Sequence, residues 1–238
     1  MLETYIREAR ELLEEPGFKA RERSLRVDMA APAWPRNPNQ IILQNDTAVE
    51  LGPSQMASVS VLLATGDKGL VHDGSITLVG PDIPECNGRE MAFGKLVLVQ
   101  VRGLDDDNLF ERCQEMNMQR LSLNLLGYAP RAIPQKGREW SRISKEALGE
   151  GFSFEVLGTE LYRELCKLDY VDAAELVFIT SNTGDVERFG SLAQRVGKTL
   201  QALDKMGERL AYDCASCDYR DVCDEVDGLR EKHRRSLK

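Results

Sequence analysis

Three cysteines near the C-terminus have the residue type and the spacing of metal ligands. Cys214, Cys217 and Cys223 follow a Cys-x2-Cys-x5-Cys pattern within ten residues. Two cysteines three residues apart can point both sulfur atoms into one tight turn, and a third can reach the same centre after a further turn. Thiolates ligate zinc and iron–sulfur clusters because soft sulfur matches these metals. The spacing therefore predicts a metal site, and we expect an iron–sulfur cluster, with zinc as the alternative.

Either metal needs a fourth ligand, and no cysteine follows Cys223 in the sequence. For a cluster, the candidates are the cysteines further upstream, Cys166, Cys113 and Cys86, of which we include Cys166 in the predicted ligand set. For zinc, His233 could complete a site of three cysteines and one histidine. A partner chain is a further source, and the sequence leaves the choice open.

The composition is that of a globular protein with an acidic surface. Its 238 residues leave room for one large domain or two small ones, and 42% hydrophobic with 29% charged residues is ordinary for such a chain. The formal net charge is -8, whereas nucleic-acid binding needs a concentrated basic surface. We therefore expect no nucleic-acid partner.

The sequence contains no membrane or export signal. No apolar run approaches the roughly eighteen residues that cross a bilayer, and residues 1–15 are charged and amphipathic. A secretory signal would need an apolar core at that position. We therefore expect a cytoplasmic protein without a membrane partner, in which the cysteines do not form a disulfide framework.

The elements that must position these residues alternate between helices and strands without a regular period. Apolar positions at helical spacing predict helices over residues 3–15, 105–126, 154–168 and 186–210. Runs rich in β-branched residues predict a hairpin over 55–79 and strands over 24–29, 95–101, 138–143 and 175–181, with a loop over 128–137. Ser144 and Asp185 are expected to cap the helices that follow them. The pattern favours an α+β fold in which a mixed or antiparallel sheet packs against helices, followed by a C-terminal cysteine knuckle.

One segment is rich in proline and is the best candidate for a boundary. Residues 30–39 contain three prolines, which favour a loop or linker. We therefore predict an N-terminal arm over residues 1–39, made of a helix, a short strand and the proline-rich linker. The main α+β domain is predicted over residues 40–210, and the cysteine knuckle with a charged C-terminal helix over residues 211–238.

Four segments of the chain resemble one known family, in the same order and at similar spacing. They are Ile76–Ile83 (ITLVGPDI), Trp140–Ala147 (WSRISKEA), Gly158–Tyr162 with the strand that follows, and Ala211–Cys217 (AYDCASC). The second segment is the most specific. Together they resemble the middle domain and the start of the cluster domain of the β-type catalytic subunit of carbon monoxide dehydrogenase/acetyl-CoA synthase. The resemblance covers residues 56–217, about two thirds of the chain.

The resemblance implies an α+β fold and an iron–sulfur cluster of the four-iron type. In that family a cysteine sulfur joins the cluster to a pair of nickel ions, and the site assembles acetyl-CoA from CO, a methyl group carried by a corrinoid protein, and coenzyme A. Cys214 matches a cluster ligand, and Cys217 matches the ligand whose sulfur also bridges to nickel. The family's Cys-Gly-Cys element, which holds the distal nickel, has no counterpart in this sequence. We therefore expect no nickel and no complete acetyl-CoA synthase.

The same resemblance suggests a partner and a ligand. It implies an accessory or partial subunit in anaerobic one-carbon or corrinoid metabolism, with a protein partner in a corrinoid or CO dehydrogenase-type complex. Within the matching segment, Arg142 and Lys145 could bind the phosphates of coenzyme A, and Trp140 could stack on its adenine. The alternatives are a solvated helix start for the two cations and a core position for the tryptophan.

Two other functions fit part of the sequence. A non-catalytic zinc-knuckle docking protein would use the same three cysteines. An iron–sulfur module resembling RecB-like nucleases ranks last, because those enzymes hold a catalytic metal with a Glu-x-Lys pair. No lysine of this chain has Glu or Asp two positions before it.

Overall fold

The computed structural model describes residues 2–86, 88–133 and 136–207, together with Tyr219 and Val222. Its helices are α1 (Glu3–Glu14), α2 (Pro16–Lys19), α3 (Leu109–Leu121), α4 (Lys145–Gly149), α5 (Phe154–Leu165), α6 (Thr183–Arg188) and α7 (Gly190–Gly207). Its strands are β1 (Glu22–Arg26), β2 (Thr47–Leu51), β3 (Ser58–Thr65), β4 (Ser75–Val79), β5 (Arg89–Met91), β6 (Phe93–Val101), β7 (Tyr128–Ile133), β8 (Arg138–Ser144) and β9 (Val171–Ile179). No helix in this part of the chain is long and apolar enough to span a bilayer.

A mixed five-stranded sheet forms the centre of the fold, with the strand order β1-β4-β9-β6-β3. β4 runs parallel to β9 and β3 runs parallel to β6, whereas β1 is antiparallel to β4 and β6 is antiparallel to β9. Every residue of β3 and of β6 is buried, which explains their nearly continuous apolar sequences. The predicted α+β class, with a mixed sheet packed against helices, is confirmed.

Different elements cover the two faces of this sheet. Glu175 and Phe178 of β9 are three residues apart and therefore point to opposite faces. Arg10 Nη2 forms an ion pair with Glu175 Oε2 at 2.6 Å, which places α1 on the first face. Phe178 stacks on Phe154, with ring centroids 4.7 Å apart, which places α5 on the second face.

A second sheet packs beside α5 and has the strand order β5-β2-β8-β7. Lys95 of β6 is paired in register with Phe178 of β9, so its side chain points to the face that α5 covers. That side chain meets Glu139 of β8. The inner face of the second sheet therefore lies against the β6 and β3 side of the main sheet.

Side-chain caps fix the starts of α4 and α5. The Ser144 hydroxyl accepts a hydrogen bond of 3.1 Å from the Ala147 N–H, so the predicted N-cap of α4 is confirmed. Asp82 acts across a longer stretch of chain, because its carboxylate accepts from the N–H groups of Ile83 at 2.6 Å and Phe154 at 2.9 Å. The turn after β4 is thereby joined to the first turn of α5.

The predicted hairpin over residues 55–79 is wrong. β3 and β4 both form, but β9 and β6 lie between them in the sheet. Each is paired in parallel with a strand that comes later in the chain. Glycine-rich turn sequences mark where a strand ends, whereas the neighbour of a strand is decided by packing between distant segments.

Two further predictions differ from the structure in the middle of the chain. The predicted loop over 128–137 contains β7, an edge strand, and edge strands tolerate a proline such as Pro130. The helix predicted over 105–126 is the shorter α3. The Asp105 carboxylate accepts hydrogen bonds from two backbone N–H groups that follow it, which forms a turn ahead of the helix.

The single helix predicted from residue 186 is two helices in the structure, α6 and α7. The chain turns at Phe189 between α6 and α7, and α6 begins earlier than predicted. Asn182 caps α6, so the prediction of Asp185 as the cap is wrong. The Asp185 carboxylate instead pairs with Arg21 at 2.6 Å.

The N-terminal residues pack into the same core as the rest of the described chain. β1 forms one edge of the five-stranded sheet, and Tyr5, Ile6 and Ala9 of α1 are buried. The domain divisions expected at residues 39 and 210 stay predictions.

Close packing between α5 and the main sheet leads to a first prediction. A Cβ added at Gly158 would lie 2.6 Å from Ile76 Cδ1 and 3.4 Å from Leu176 Cδ1. We expect Gly158→Ala to lower the free energy of unfolding by about 1–3 kcal/mol, because overpacking outweighs the gain in helix propensity. Urea denaturation measures the change.

Gly197→Ala in α7 is the matched control. No atom lies within 4 Å of a Cβ added there, so we expect a gain of up to about 1 kcal/mol from helix propensity. Equal effects of the two substitutions would contradict the close contact at Gly158.

Candidate functional site

A wholly buried ionic network joins the two sheets. The Glu139 carboxylate accepts hydrogen bonds from Lys95 Nζ at 2.6 Å, Ser60 Oγ at 2.9 Å and the Tyr128 hydroxyl at 3.1 Å. The Arg120 guanidinium donates to Ser60 Oγ at 2.9 Å and so joins the same network. Lys95 and Glu139 are each only 1% exposed. The network therefore fixes β8 to the main sheet through groups that water does not reach.

Strand register brings the members of this network together, and their charges compensate one another. Ser60 of β3 and Lys95 of β6 are partners in parallel register, and Glu139 reaches both from β8. Burial lowers the pKa of Lys95 and of Arg120, because desolvation disfavours their charged forms. Burial alone would raise the pKa of Glu139, but the charges of Lys95 and Arg120 outweigh it and hold that pKa below its usual value.

This network was not predicted from the sequence. Lys95 was predicted only as part of the strand over residues 95–101, and no role was predicted for Glu139. The available signal was a lysine inside an otherwise apolar strand, because a buried cation requires a buried anion. The identity of that anion depends on the packing of β8, which a strand pattern does not reveal.

The residues predicted to bind coenzyme A lie on the opposite face of β8. Trp140 and Arg142 alternate with the inward-facing Glu139 and Ser141, so they point away from the core. The Arg142 guanidinium lies over the Trp140 ring, 4.9 Å from its centroid, and Arg142 Nε donates to Glu50 Oε1 at 2.5 Å. The structure thus brings a planar cation and an indole together at a partly exposed position.

Lys145, the first residue of α4, binds the same loop as Arg142. Arg142 Nη1 donates to the carbonyl of Ile42 at 3.3 Å, and Lys145 Nζ donates to the carbonyl of Asn45 at 2.9 Å. Both cations therefore hold the loop before β2. Lys145 is exposed, so its ammonium group also remains accessible to a ligand from solvent.

The indole N–H of Trp140 is buried without a hydrogen-bond partner among the described residues. A buried donor without an acceptor costs free energy and calls for an explanation. Two neighbours on this face were missed from sequence: Glu50, which pairs with Arg142, and the exposed Arg131, which lies opposite Trp140 in register. Both come from other strands, so their proximity depends on register.

The structure separates the upstream cysteines by their exposure. Cys86 and Cys113 are 0% exposed, and burial raises the pKa of their thiols to about 11 and about 12. A thiol that resists deprotonation is a poor metal ligand. Cys166 is exposed at the end of α5, and partial burial raises the pKa of its thiol.

Cys214, Cys217 and Cys223 lie outside the described residues, as does His233. Two residues of the same segment are described. Val222 is 0% exposed within the hydrophobic core, and Tyr219 packs against that core. Among the described residues, no group of three or more His, Cys, Asp or Glu side chains is arranged to hold a metal ion.

One family and two curated relatives match this chain. The model of the family described as the CO dehydrogenase/acetyl-CoA synthase complex beta subunit matches residues 35–185. The chain is 29% identical over 176 residues to the acetyl-CoA decarbonylase/synthase complex subunit beta of Methanopyrus kandleri. This match covers 72% of this chain and 36% of the relative. It is 24% identical over 189 residues to the carbon monoxide dehydrogenase/acetyl-CoA synthase subunit alpha of Moorella thermoacetica. This second match covers 78% of this chain and 25% of the relative. The chain therefore spans only between a quarter and about a third of these relatives.

The buried network leads to a prediction about stability. We expect Glu139→Gln to lower the free energy of unfolding at neutral pH by about 3–5 kcal/mol, because Lys95 and Arg120 lose the charge that compensates them. Urea denaturation measures the loss. Glu85→Gln is the matched control, because it neutralises one partner of the exposed Arg23–Glu85 pair. Exposed pairs contribute about 0–1 kcal/mol.

We also predict that the difference in stability between wild type and Glu139→Gln depends on pH. The pKa of Glu139 is lower in the folded protein than its ordinary value of 4.5, so its contribution is present above that value and is lost as the pH falls toward the folded pKa. The difference between wild type and Glu139→Gln should therefore be largest at neutral pH and shrink below about pH 4.5. A difference that is constant between pH 7 and pH 4 would contradict an ionised Glu139.

Proposed function

The chain belongs to the family of the CO dehydrogenase/acetyl-CoA synthase complex beta subunit, and we propose that it acts as an accessory or partial subunit of such a complex and binds an iron–sulfur cluster. The family match carries this proposal, because it spans more than half of the chain and includes all four strands of the second sheet. Both relatives are named as subunits, which supports a protein partner for this chain. Anaerobic one-carbon or corrinoid metabolism is the setting that we propose.

The donor set of the chain fits an iron–sulfur cluster. Cys214, Cys217 and Cys223 supply three thiols in a short segment, which we propose to be a C-terminal knuckle. Cys166 is the proposed fourth ligand, because it is the exposed one among the described cysteines. A bound cluster would supply one-electron transfer at a potential set by its surroundings.

We propose coenzyme A as the ligand of the outer face of β8. A guanidinium group can bind phosphate through two parallel hydrogen bonds, and Arg142 is held in place by Glu50 and by the Trp140 ring. Trp140 offers a partly exposed aromatic ring beside Arg142. Lys145 of α4 adds a second positive charge that binds the same loop as Arg142.

Metal analysis tests the cluster. We expect the anaerobically purified protein to contain iron and acid-labile sulfide, and Cys214→Ser to lose most of both, because a cluster requires its thiolate ligands. Cys166→Ser should lose iron in the same way if Cys166 is the fourth ligand, and unchanged iron would assign the fourth ligand elsewhere. A protein that contains zinc without sulfide would instead establish the zinc-knuckle alternative.

Calorimetric titration with coenzyme A tests the proposed ligand site. We expect Arg142→Gln to weaken binding about tenfold or more, because it removes a charge-assisted contact with phosphate. Glu50→Gln should weaken binding less than Arg142→Gln does, because it keeps the guanidinium group and removes only the carboxylate that holds it in place.

Arg112→Gln is the matched control for this titration. The Arg112 guanidinium also lies over an aromatic ring, 3.8 Å from the Tyr170 centroid, but on α3. Loss of binding in Arg112→Gln as large as that in Arg142→Gln would assign the effect to net charge and would contradict a site at β8.

A further inference from the structure

β1 forms one open edge of the five-stranded sheet. Among the described residues it pairs only with β4, to which it runs antiparallel. Directly after β1, the Val27 N–H donates to the Gly74 carbonyl at 3.0 Å, in the same register. In an antiparallel pair, every second residue exchanges both of its backbone hydrogen bonds with the residue opposite. The odd-numbered residues of β1 therefore bond to β4, and the even-numbered residues direct their N–H and C=O groups away from the sheet.

Three residues of β1 present these outward-directed groups: Glu22, Ser24 and Arg26. No described residue forms a hydrogen bond with their outward-directed N–H or C=O groups. Ser24 and Arg26 are exposed, and Glu22 is partly exposed. A row of unpaired backbone groups at a sheet edge is a template on which a further strand can pair. Charged residues on an edge usually discourage such pairing, so the arrangement of the charges decides which strand is accepted.

Both acidic and basic residues of this edge are incompletely compensated within the chain. Arg26 forms no ion pair with a described residue, and its guanidinium group donates to the carbonyl of Asp73 at 3.1 Å. Lys19 lies 3.0 Å from Glu22 but also 2.9 Å from Glu14, so one cation is shared by two carboxylates. The edge thus has one cation and one carboxylate that can accept a partner of opposite charge.

We propose that β1 is a dimerisation edge, onto which β1 of a second copy of this chain adds in antiparallel orientation. The two-fold axis passes beside Ser24, so that each Ser24 lies opposite its copy and Glu22 of each chain lies opposite Arg26 of the other. These residues all direct their backbone groups outward, so every opposed pair can exchange two hydrogen bonds. Opposite charges directly across two strands stabilise the pairing. The two main sheets become one continuous sheet.

The charges select this partner and this register. A two-fold interface brings the same surface of both copies together, so it requires a self-complementary edge. A shift of the pairing by two residues in one direction places Arg23 opposite its copy, and like charges directly opposite are destabilising. A shift in the other direction places Arg26 opposite Ser24. Either shift therefore removes the two ion pairs that pairing about Ser24 forms.

The dimer is independent of the proposed function. β1 lies before residue 35, where the family match begins. The pairing uses no residue that is proposed to bind a metal or coenzyme A. It can therefore form or fail whether or not those ligands bind.

Analytical ultracentrifugation of the full chain tests the pairing. We expect wild type to show a reversible monomer–dimer equilibrium as the protein concentration rises. Ser24→Pro should weaken the dimer about tenfold or more, because it removes an outward-directed N–H at the two-fold axis. This N–H does not bond to β4, and edge strands tolerate proline. Ser24→Ala is the matched control, because it keeps the N–H and should dimerise as wild type does.

Charge reversal gives a second readout that leaves the backbone unchanged. Arg26→Glu should weaken the dimer about tenfold or more, because two symmetry-related pairs change from attraction to repulsion. Glu22→Arg should have the same effect for the same reason. The double variant Glu22→Arg with Arg26→Glu restores opposite charges across the axis and should recover most of the wild-type affinity. Unrelated effects of the two substitutions on the fold would instead add in the double variant.

The two sets of variants separate this interface from any other. Weaker dimers in Ser24→Pro and in both single charge reversals, with recovery in the double variant, support pairing through β1. A wild type that stays monomeric at every concentration overturns the proposal. A dimer that Ser24→Pro and Arg26→Glu leave intact also overturns it, because such a dimer forms through another surface. If Ser24→Pro does not fold, the charge-reversal variants decide.

Discussion

The ion pair between Lys95 and Glu139 is the contact on which the arrangement of the second sheet depends. It lies between β6 and β8, wholly out of water, and a network that includes Arg120 and Tyr128 completes it. A buried charge tolerates little displacement of its partner, because desolvation has already removed the alternative of binding water. The inner face of β8 is thereby fixed against the main sheet. Since alternate residues of a strand point to opposite faces, the orientation of its outer face follows.

The sequence predicted local structure well where one segment alone decides it. The strand over residues 138–143 and the Ser144 cap of α4 both depend on neighbouring residues, and both were predicted. Pairing between strands was not predictable in the same way. The parallel partner of β3 begins 35 residues later in the chain, and the turn chemistry after β3 contains no information about it. β7 was missed because prolines are rare in strands, although an edge position permits one at Pro130.

The candidate site shows the same division between local and distant information. Trp140 and Arg142 are two residues apart, so a strand puts them on one face, and the sequence alone suffices for that step. Glu50 lies 92 residues from Arg142 along the chain, and only the pairing of β2 with β8 brings them together. For the upstream cysteines, residue type alone suggested several candidate ligands and did not choose between them. Burial separates them: Cys86 and Cys113 serve the core, whereas Cys166 remains exposed.

The first and the third of the segments that resemble the family pack against each other. Ile76 of the first segment lies against Gly158 of the third, where a Cβ would clash. Asp82 joins the first segment to the start of α5 through the Phe154 N–H. The second segment contains the Ser144 cap and the outward-facing pair of Trp140 and Arg142. Most of these contacts fix the scaffold, so the likeness concerns the packing of this fold before it concerns any activity. Among the described residues of these segments, the side chains that remain available to a ligand lie on the outer face of β8.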